Sequence, residues 1–424
     1  MEVQVIDIDR TRRRLEVILP KERVLSIQHG IYAELQKKAQ IKGFRKGKIP
    51  RSVIDLYFRD YINRELKKRI VENSLEDALK EANLEPLLEP TVEFPDEDMS
   101  RYIVFCEVVP EIEVHGYTSM EIDVEPIDVT EEEVRVELEK LRNIHAELVP
   151  KEEGVVERGD FVVVRYEGYH DGLPLEEVRS EAYPLEVGSE TLLPEFEAAL
   201  IGMRKDEEKE IEIDFPPDYP DRAYASKRIR FHLRVKEIKQ RRLPHIGDDF
   251  AKDLGFDDLS ALMDGIRERI RGQKGKQRRA YVERAIIERL LEKNEIPVPP
   301  SYLSWRLERS LERMRAELKK GGYTRAEEEV LESVERDKVK KDLERRIKEE
   351  ILIVNIARME SIVVTDEEVE DRLRRIASEM KKAYEEVRAL YSSKGLLVPL
   401  KADMLEEKVL NFLVDSAIIK ERNP

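Results

Sequence analysis

Lys42-Gly-Phe-Arg-Lys-Gly-Lys-Ile-Pro-Arg51 sets five basic residues in ten positions, with no acidic residue among them. Two glycines free the backbone and Pro50 stops it, so the stretch reads as a loop between two helices. Phe44 places an aromatic ring at the tip. Basic side chains suit phosphates or acidic side chains, and a ring suits a pocket or the face of a base. The same residues also fit a solvated turn with Phe44 folded back onto a helix.

Working outward, residues 2–19 alternate and are β-branched, which predicts two strands around an Asp9–Arg14 turn. Val24, Ile27, Ile31, Leu35 and Ala39 form an amphipathic stripe, predicting a helix from Pro20 to near Gly43. A second helix is expected from Pro50 and a further long one over 61–82. Strands are expected at Thr91–Phe94 and Tyr102–Val109. Residues 114–150 read as a strand and a helix, the helix opened by a Thr130/Glu133 capping box. Ile127-Asp-Val-Thr-Glu-Glu-Glu-Val134 matches Ile362-Val-Val-Thr-Asp-Glu-Glu-Val369 at six of eight positions. This means either two helices with the same packing job or two good helix starts.

Residues 154–240 change character, with strands predicted at Phe161–Tyr166, Ala182–Val187, Lys209–Asp214 and Arg228–Lys239 and a short helix near Glu195–Leu200. From about residue 245 onward the pattern is helical throughout, over 324–360, 366–391 and 402–422 among others. Long charged helices point to extended arms, or to coiled-coil oligomerisation. The fold class is multidomain α+β: an α+β domain over 1–113, a connector over 114–150, an antiparallel β domain over 151–242, and an all-α region over 243–424.

Composition narrows the chemistry. The 424 residues carry 76 Lys/Arg against 92 Asp/Glu, a net charge of −16. Residues 1–60 run the other way, with 14 basic and 8 acidic residues. An acidic chain with a basic end suggests a polyanionic partner met at that end. One cysteine, Cys106, excludes a disulfide framework, and the six histidines form no ligand pair. No metal or cofactor is expected, and no nucleotide loop is present. No stretch approaches the length of a membrane span, so a cytoplasmic protein with no membrane partner is expected.

Gly43-Phe44-Arg45-Lys46-Gly47-Lys48-Ile49-Pro50 resembles the ribosome-docking signature of the bacterial trigger factor family, GFRxGKxP, at every fixed position. The domain order agrees, so the resemblance covers essentially the whole chain. It implies that these eight residues bind a large-subunit ribosomal protein and neighbouring ribosomal RNA at the exit tunnel. It also implies an ATP-independent chaperone for nascent and unfolded polypeptides, a homodimer when free, and roles in protein transport and cell division. In that family the helical region forms a body and two arms. Met263, Met314, Met359, Met380 and Met404 fall there, either as adaptable client contacts or as ordinary core. Tyr302 and Trp305 are expected to lock the body.

Asp160–Gly168, Pro184–Gly188, Leu192–Phe196, Gly202-Met and Phe215–Tyr219 resemble an FKBP-type prolyl isomerase. By motif, the pocket would be Tyr166, Leu175, Tyr183, Leu192, Leu193, Phe196, Tyr219 and Phe231, with Phe196 as its floor. A backbone N–H near Leu193 would hold the substrate carbonyl. Leu175 replaces a usual aromatic, Glu176 replaces a usual aspartate, and Pro194-Glu195-Phe196 replaces a Gly-aromatic phrase. These departures thin the aromatic wall and imply weak activity. Two other readings remain: a ribosome-independent holdase, and a free prolyl isomerase whose helices dimerise it.

Overall fold

The computed structural model describes the chain except residues 43, 46, 97, 190–192, 217, 218, 220–223, 225, 423 and 424. It forms two compact units, residues 1–125 with 279–424, and residues 126–278. The sequential division read from the sequence runs across these units.

In the first unit, β1 (Glu2–Asp7) and β2 (Arg12–Ile18) form a hairpin. Its turn is held by the Asp9 carboxylate, which accepts the N–H groups of Thr11 (2.8 Å) and Arg12 (2.9 Å). Helix α1 (Lys21–Lys38) follows and stops about a turn before the expected end near Gly43. Helix α2 (Arg51–Glu81) takes in both predicted helices. No proline or glycine interrupts residues 51–81, so the helix carries through and only bends. The bend is at Phe58 (φ −127°, ψ 16°), whose side chain packs into the core. Strands β3 (Thr91–Glu93) and β4 (Arg101–Glu107) complete a sheet of order β1-β2-β4-β3. Leu15, Val17 and Val104 from the sheet meet Ile31, Ile54, Ile62, Leu66 and Ile70 from the helices.

Strand β5 (Glu121–Val124) lies in the connector. The second unit holds α3 (Glu131–Ile144) and the strands β6 (Glu147–Pro150), β7 (Phe161–His170) and β8 (Leu173–Glu186). It continues with α4 (Pro194–Leu200), β9 (Glu208–Asp214) and β10 (Arg228–Arg242). The strands form an antiparallel sheet of order β6-β10-β7-β8, with β9 also on β10. The short β6 has no sequence forecast. Helices α5 (Asp248–Asp253) and α6 (Leu259–Lys293) follow.

Back in the first unit, α7 (Pro300–Lys320) and α8 (Arg325–Met359) form a hairpin around Leu307, Leu311 and Leu343. Arg315 bridges it to Glu332 at 2.6 Å. Where one helix was expected over 366–391 there are two, α9 (Asp366–Glu379) and α10 (Tyr384–Ser393). Helix α11 (Leu397–Ser416) ends before 422, and β11 (Ile418–Glu421) pairs in parallel with β5. The expectation of helix to 422 is therefore corrected: four β-prone or charged residues find strand partners in the connector.

The recurring octapeptide is a packing repeat. Thr130 and Thr365 both complete capping boxes, with Glu133 and Glu368. Lys274 on α6 bonds Glu133 and the Asp128 carbonyl, and Lys408 on α11 bonds Glu368 and the Val363 carbonyl. One turn pair earlier, Arg267 reaches Glu131 and Lys401 reaches Asp366, both at 2.7 Å. Val134 with Leu138, and Val369 with Leu373, supply the buried contacts.

Candidate functional site

The basic loop leaves α1 and is pinned back to it. Gly47 donates its N–H to the Gln36 carbonyl (3.1 Å), and the Gln36 amide donates to the Ile49 carbonyl (3.1 Å). Gly47 sits at φ +81°, where an L side chain would be strained. Ile49 is 0% exposed and belongs to the core, whereas Phe44 is 42% exposed. Arg45, Lys48 and Pro50 face solvent; Gly43 and Lys46 lie outside the described residues. Arg51 stacks 4.0 Å over the Tyr32 ring, and the Tyr32 hydroxyl bonds Asp55. Burial, reinforced by that carboxylate, raises the Tyr32 pKa. Of the eight residues expected to dock, the loop therefore presents Phe44, Arg45 and Lys48 outward and uses Ile49 as its anchor.

The aromatic residues of the β domain converge as a group. Tyr166 on β7 stands edge-on to Tyr183 (5.9 Å), Phe196 (5.7 Å) and Phe231 (6.3 Å). Phe196 on α4 meets Phe231 on β10 at 5.5 Å and 87°. Phe196 and Phe231 are buried, while Tyr166, Leu175, Tyr183, Leu193 and Tyr219 are partly open. Burial raises the Tyr166 pKa, so its hydroxyl is protonated at neutral pH. Leu193 is the N-cap of α4, and its carbonyl accepts the Phe196 N–H at 2.9 Å. Leu192 lies outside the described residues. Two rings that sequence reasoning passed over complete the wall: Phe215 lies 4.8 Å from Tyr219 and 6.3 Å from Tyr224. The signal was there, because Phe215 opens the Phe-Pro-Pro-Asp-Tyr phrase already singled out. A separate hollow of about 350 Å³ is lined by charged groups, among them Arg165, Glu167, Glu210 and Arg234. It lacks the apolar wall that a proline ring needs.

Residues 1–141 match the family model "Bacterial trigger factor protein (TF)", and 258–415 match its C-terminal counterpart. Between them, residues 153–236 match "FKBP-type peptidyl-prolyl cis-trans isomerase". Trigger factor from Halothermothrix orenii is 32% identical over 98% of this chain and 99% of its own length. The chain belongs to the trigger factor family. Trigger factor from a Geobacillus species is 34% identical over 95% of this chain and 96% of its own. A solved chain described under "Promiscuous Substrate Recognition in Folding and Assembly Activities of the Trigger Factor Chaperone" aligns over 98% of this one and 99% of its own. It does so at a TM-score of 0.58 and 26% identity. The protein is thus a chaperone of the trigger factor family carrying an FKBP-type prolyl isomerase domain.

Against the family pattern, Leu175 joins the aromatic cluster and Glu176 is exposed beside it. In the helical region Met263, Met314 and Met404 pack within apolar clusters, while Met359 and Met380 are exposed. Tyr302 joins the main helical core, and the half-exposed Trp305 stacks on it at 6.1 Å, with the Arg309 guanidinium 5.0 Å from the Trp305 ring centre.

Proposed function

We propose that this trigger factor family member docks on the large ribosomal subunit through the 43–50 loop and shields emerging chains. On this reading residues 1–113 bind the ribosome, 114–150 connect, 151–242 isomerise prolyl bonds and 243–424 hold clients. The observation that carries docking is the contrast within the loop. Ile49 anchors it at zero exposure, while Phe44, Arg45 and Lys48 are held outward. An exposed ring leaves apolar surface in water, and the cations beside it steer an anionic partner to the loop. Exposed apolar residues on the α7–α8 hairpin, Tyr323, Val330 and Val334, suit weak and promiscuous holding of unfolded chains.

Isomerisation at Xaa-Pro rests on the ring cluster. Amide resonance sets a barrier of about 18–20 kcal/mol, and uncatalysed turnover takes tens of seconds. Lowering it needs no acid, base or nucleophile. It needs an apolar pocket that seats the proline ring, strips water from the carbonyl and favours the twisted amide. Phe196 and Phe231 supply the floor, Tyr166, Tyr183 and Tyr219 the walls, Leu175 the rim, and the Leu193 backbone N–H the carbonyl contact; Leu192 belongs to this reading by motif alone. Residence in the cytoplasm, protein transport and cell division rest on the family relation. Among the described residues no helix is long and apolar enough to cross a membrane.

The test is co-sedimentation with salt-washed bacterial ribosomes, wild type beside the Phe44→Ala/Arg45→Ala/Lys46→Ala variant. Wild type pelleting and the variant remaining in solution supports docking. Neither pelleting overturns it in favour of a free holdase.

A further inference from the structure

Helix α7 carries two stripes. Leu303, Leu307, Leu311 and Met314 turn inward and pack with Leu343 of α8. Trp305, Arg309, Arg313, Ala316 and Lys320 recur at spacings of 4, 4, 3 and 4 on the opposite side, and all five are exposed. The cations of this helix divide by partner. Arg306 is tied to Glu350 at 2.6 Å, and Arg315 to Glu332 at 2.6 Å and to Glu308 at 3.0 Å. Among the described residues, Arg309, Arg313 and Lys320 have no carboxylate within ion-pair distance. Glu312 and Glu317 fall on opposite flanks of the stripe. Trp305, the one tryptophan of the chain, is 44% exposed. Its ring is held all the same, stacked on Tyr302 at 15° and paired with the Arg309 guanidinium.

A fixed indole beside unpaired guanidinium groups is the chemistry of an interface hot spot. The ring is already ordered, so little conformational entropy is lost when a partner covers it. The unpaired cations select an acidic partner. Spacing narrows the choice further. One helical turn separates Trp305, Arg309 and Arg313 by about 6 Å along the axis. An extended chain sets every second side chain on one side, about 6.6 Å apart. A ring followed at alternate positions by two carboxylates therefore matches the stripe, and Arg309 and Arg313 can take the carboxylates in their forks. A lone exposed ring serves single-stranded nucleic acid poorly, because such binding stacks successive bases on successive rings. A two-fold contact with a second copy would set the same cations against one another. We propose that the outward stripe of α7 is a docking surface for extended acidic segments of unfolded polypeptides, with Trp305 seating a ring and Arg309 and Arg313 pairing carboxylates. The proposal rests on the reading of residues 243–424 as the client-holding region and gives that region a class of client.

The test uses the full chain and two proline-free peptides. One carries a central phenylalanine with glutamates at alternate positions on either side; in the other, lysines replace the glutamates. Trp305 emission reports binding at the stripe, and anisotropy of the labelled peptide reports affinity. The glutamate peptide should shift the Trp305 emission, bind more tightly than the lysine peptide and weaken with added salt. Arg309→Ala/Arg313→Ala should weaken it about three- to ten-fold, as loss of two exposed charge pairs does. Arg309→Glu/Arg313→Glu should reverse the preference between the peptides. Both variants should keep the wild-type melting temperature, since these side chains are solvent-facing. Equal affinity for the two peptides overturns the proposal, as does glutamate-peptide binding untouched by either variant. A Trp305 emission that changes on dilution of the chain alone also overturns it and assigns the face to a second copy. Suppression of aggregation of an unfolded protein is measured alongside. Its presence in the wild type keeps the holdase reading standing even where the proposal falls, and its absence removes both.

Discussion

The carboxylate of Glu107, at the end of β4, accepts the backbone N–H of Tyr302 in the first turn of α7 at 2.9 Å. It accepts that of Ser301 at the same distance. The helix cannot cap itself, because Pro299 stands at its N-cap and Pro300 has no N–H to offer. A strand residue 195 positions earlier therefore supplies the anion that the helix N-terminus favours. Glu107→Ala strips two charge-assisted bonds from a buried place and should destabilise the first unit by about 2–3 kcal/mol. Glu107→Gln keeps an acceptor and should cost about 1 kcal/mol. Urea unfolding of both variants checks this, and equal midpoints would sink it.

Asn355 plays the matching part in the segment between β4 and β5. Its side chain accepts the Ile112 N–H (3.0 Å) and donates to the Pro110 (3.0 Å) and Ile351 (2.8 Å) carbonyls. Asn294 does the same at His115, through its N–H (2.8 Å) and carbonyl (3.2 Å). Two side-chain amides thus stand in for a strand partner along 110–115. Asn355→Ala leaves buried groups unsatisfied and should cost about 3 kcal/mol. Amide exchange should accelerate at Ile112 and not at His115; equal acceleration at both would mean general unfolding.

In the loop between α1 and α2, burial separates two residues that the motif treats alike. Ile49→Ala opens a cavity in the core and should cost about 2–5 kcal/mol. Phe44→Ala should change stability by less than about 0.5 kcal/mol while abolishing ribosome binding. Thermal melts with co-sedimentation distinguish the two, and a large loss of stability at Phe44 would place its ring in the core after all.

In the β domain, Phe196→Ala removes the ring touching both Tyr166 and Phe231. It should cost about 3–5 kcal/mol and eliminate isomerisation of a Xaa-Pro peptide. Tyr166→Phe keeps the ring and removes only the hydroxyl. Retained activity in that variant would show that the pocket works by shape and desolvation, and loss would show that the hydroxyl binds substrate.

Asp9 ties stability to pH. Burial pushes its pKa up, but bonds from Thr11 and Arg12 outweigh this and hold it at about 2. Its folded pKa is depressed, so the stabilisation is present above about pH 4 and lost as pH falls toward 2. The side chain is partly exposed and solvent screening reduces the effect to about 1 kcal/mol. Asp9→Asn should lower the melting temperature at neutral pH and narrow its gap to wild type below pH 3. A constant gap across that window would exclude the linkage.

Much of this was legible from local pattern. The Asp9 turn, the stripe of α1, the capping boxes at Thr130 and Thr365 and, apart from the first nine residues of β8, the four main strands of the β domain all depend on neighbours within a few residues. The bend at Phe58 was not, because nothing in 51–81 breaks a helix and only packing of that ring bends it. β6 and β11 were missed for the same kind of reason: four residues become a strand only when a partner strand is in reach.

The sequence by itself determined the kind of protein. An octapeptide with the family's signature, an FKBP-like phrase order and a helical remainder suffice, since motifs are local and survive without coordinates. Tertiary structure decided which motif residues face outward and which hold the fold. Ile49 and Phe44 are equally apolar and five positions apart, yet one is sealed in the core and the other meets solvent. It also decided that Glu107 caps α7 and that Asn355 and Asn294 clamp the stretch 110–115. Those contacts span 179 to 245 positions, and such separations leave no periodic trace in a chain. Only the folded backbone brings a carboxylate or an amide to the groups that would otherwise be buried without partners.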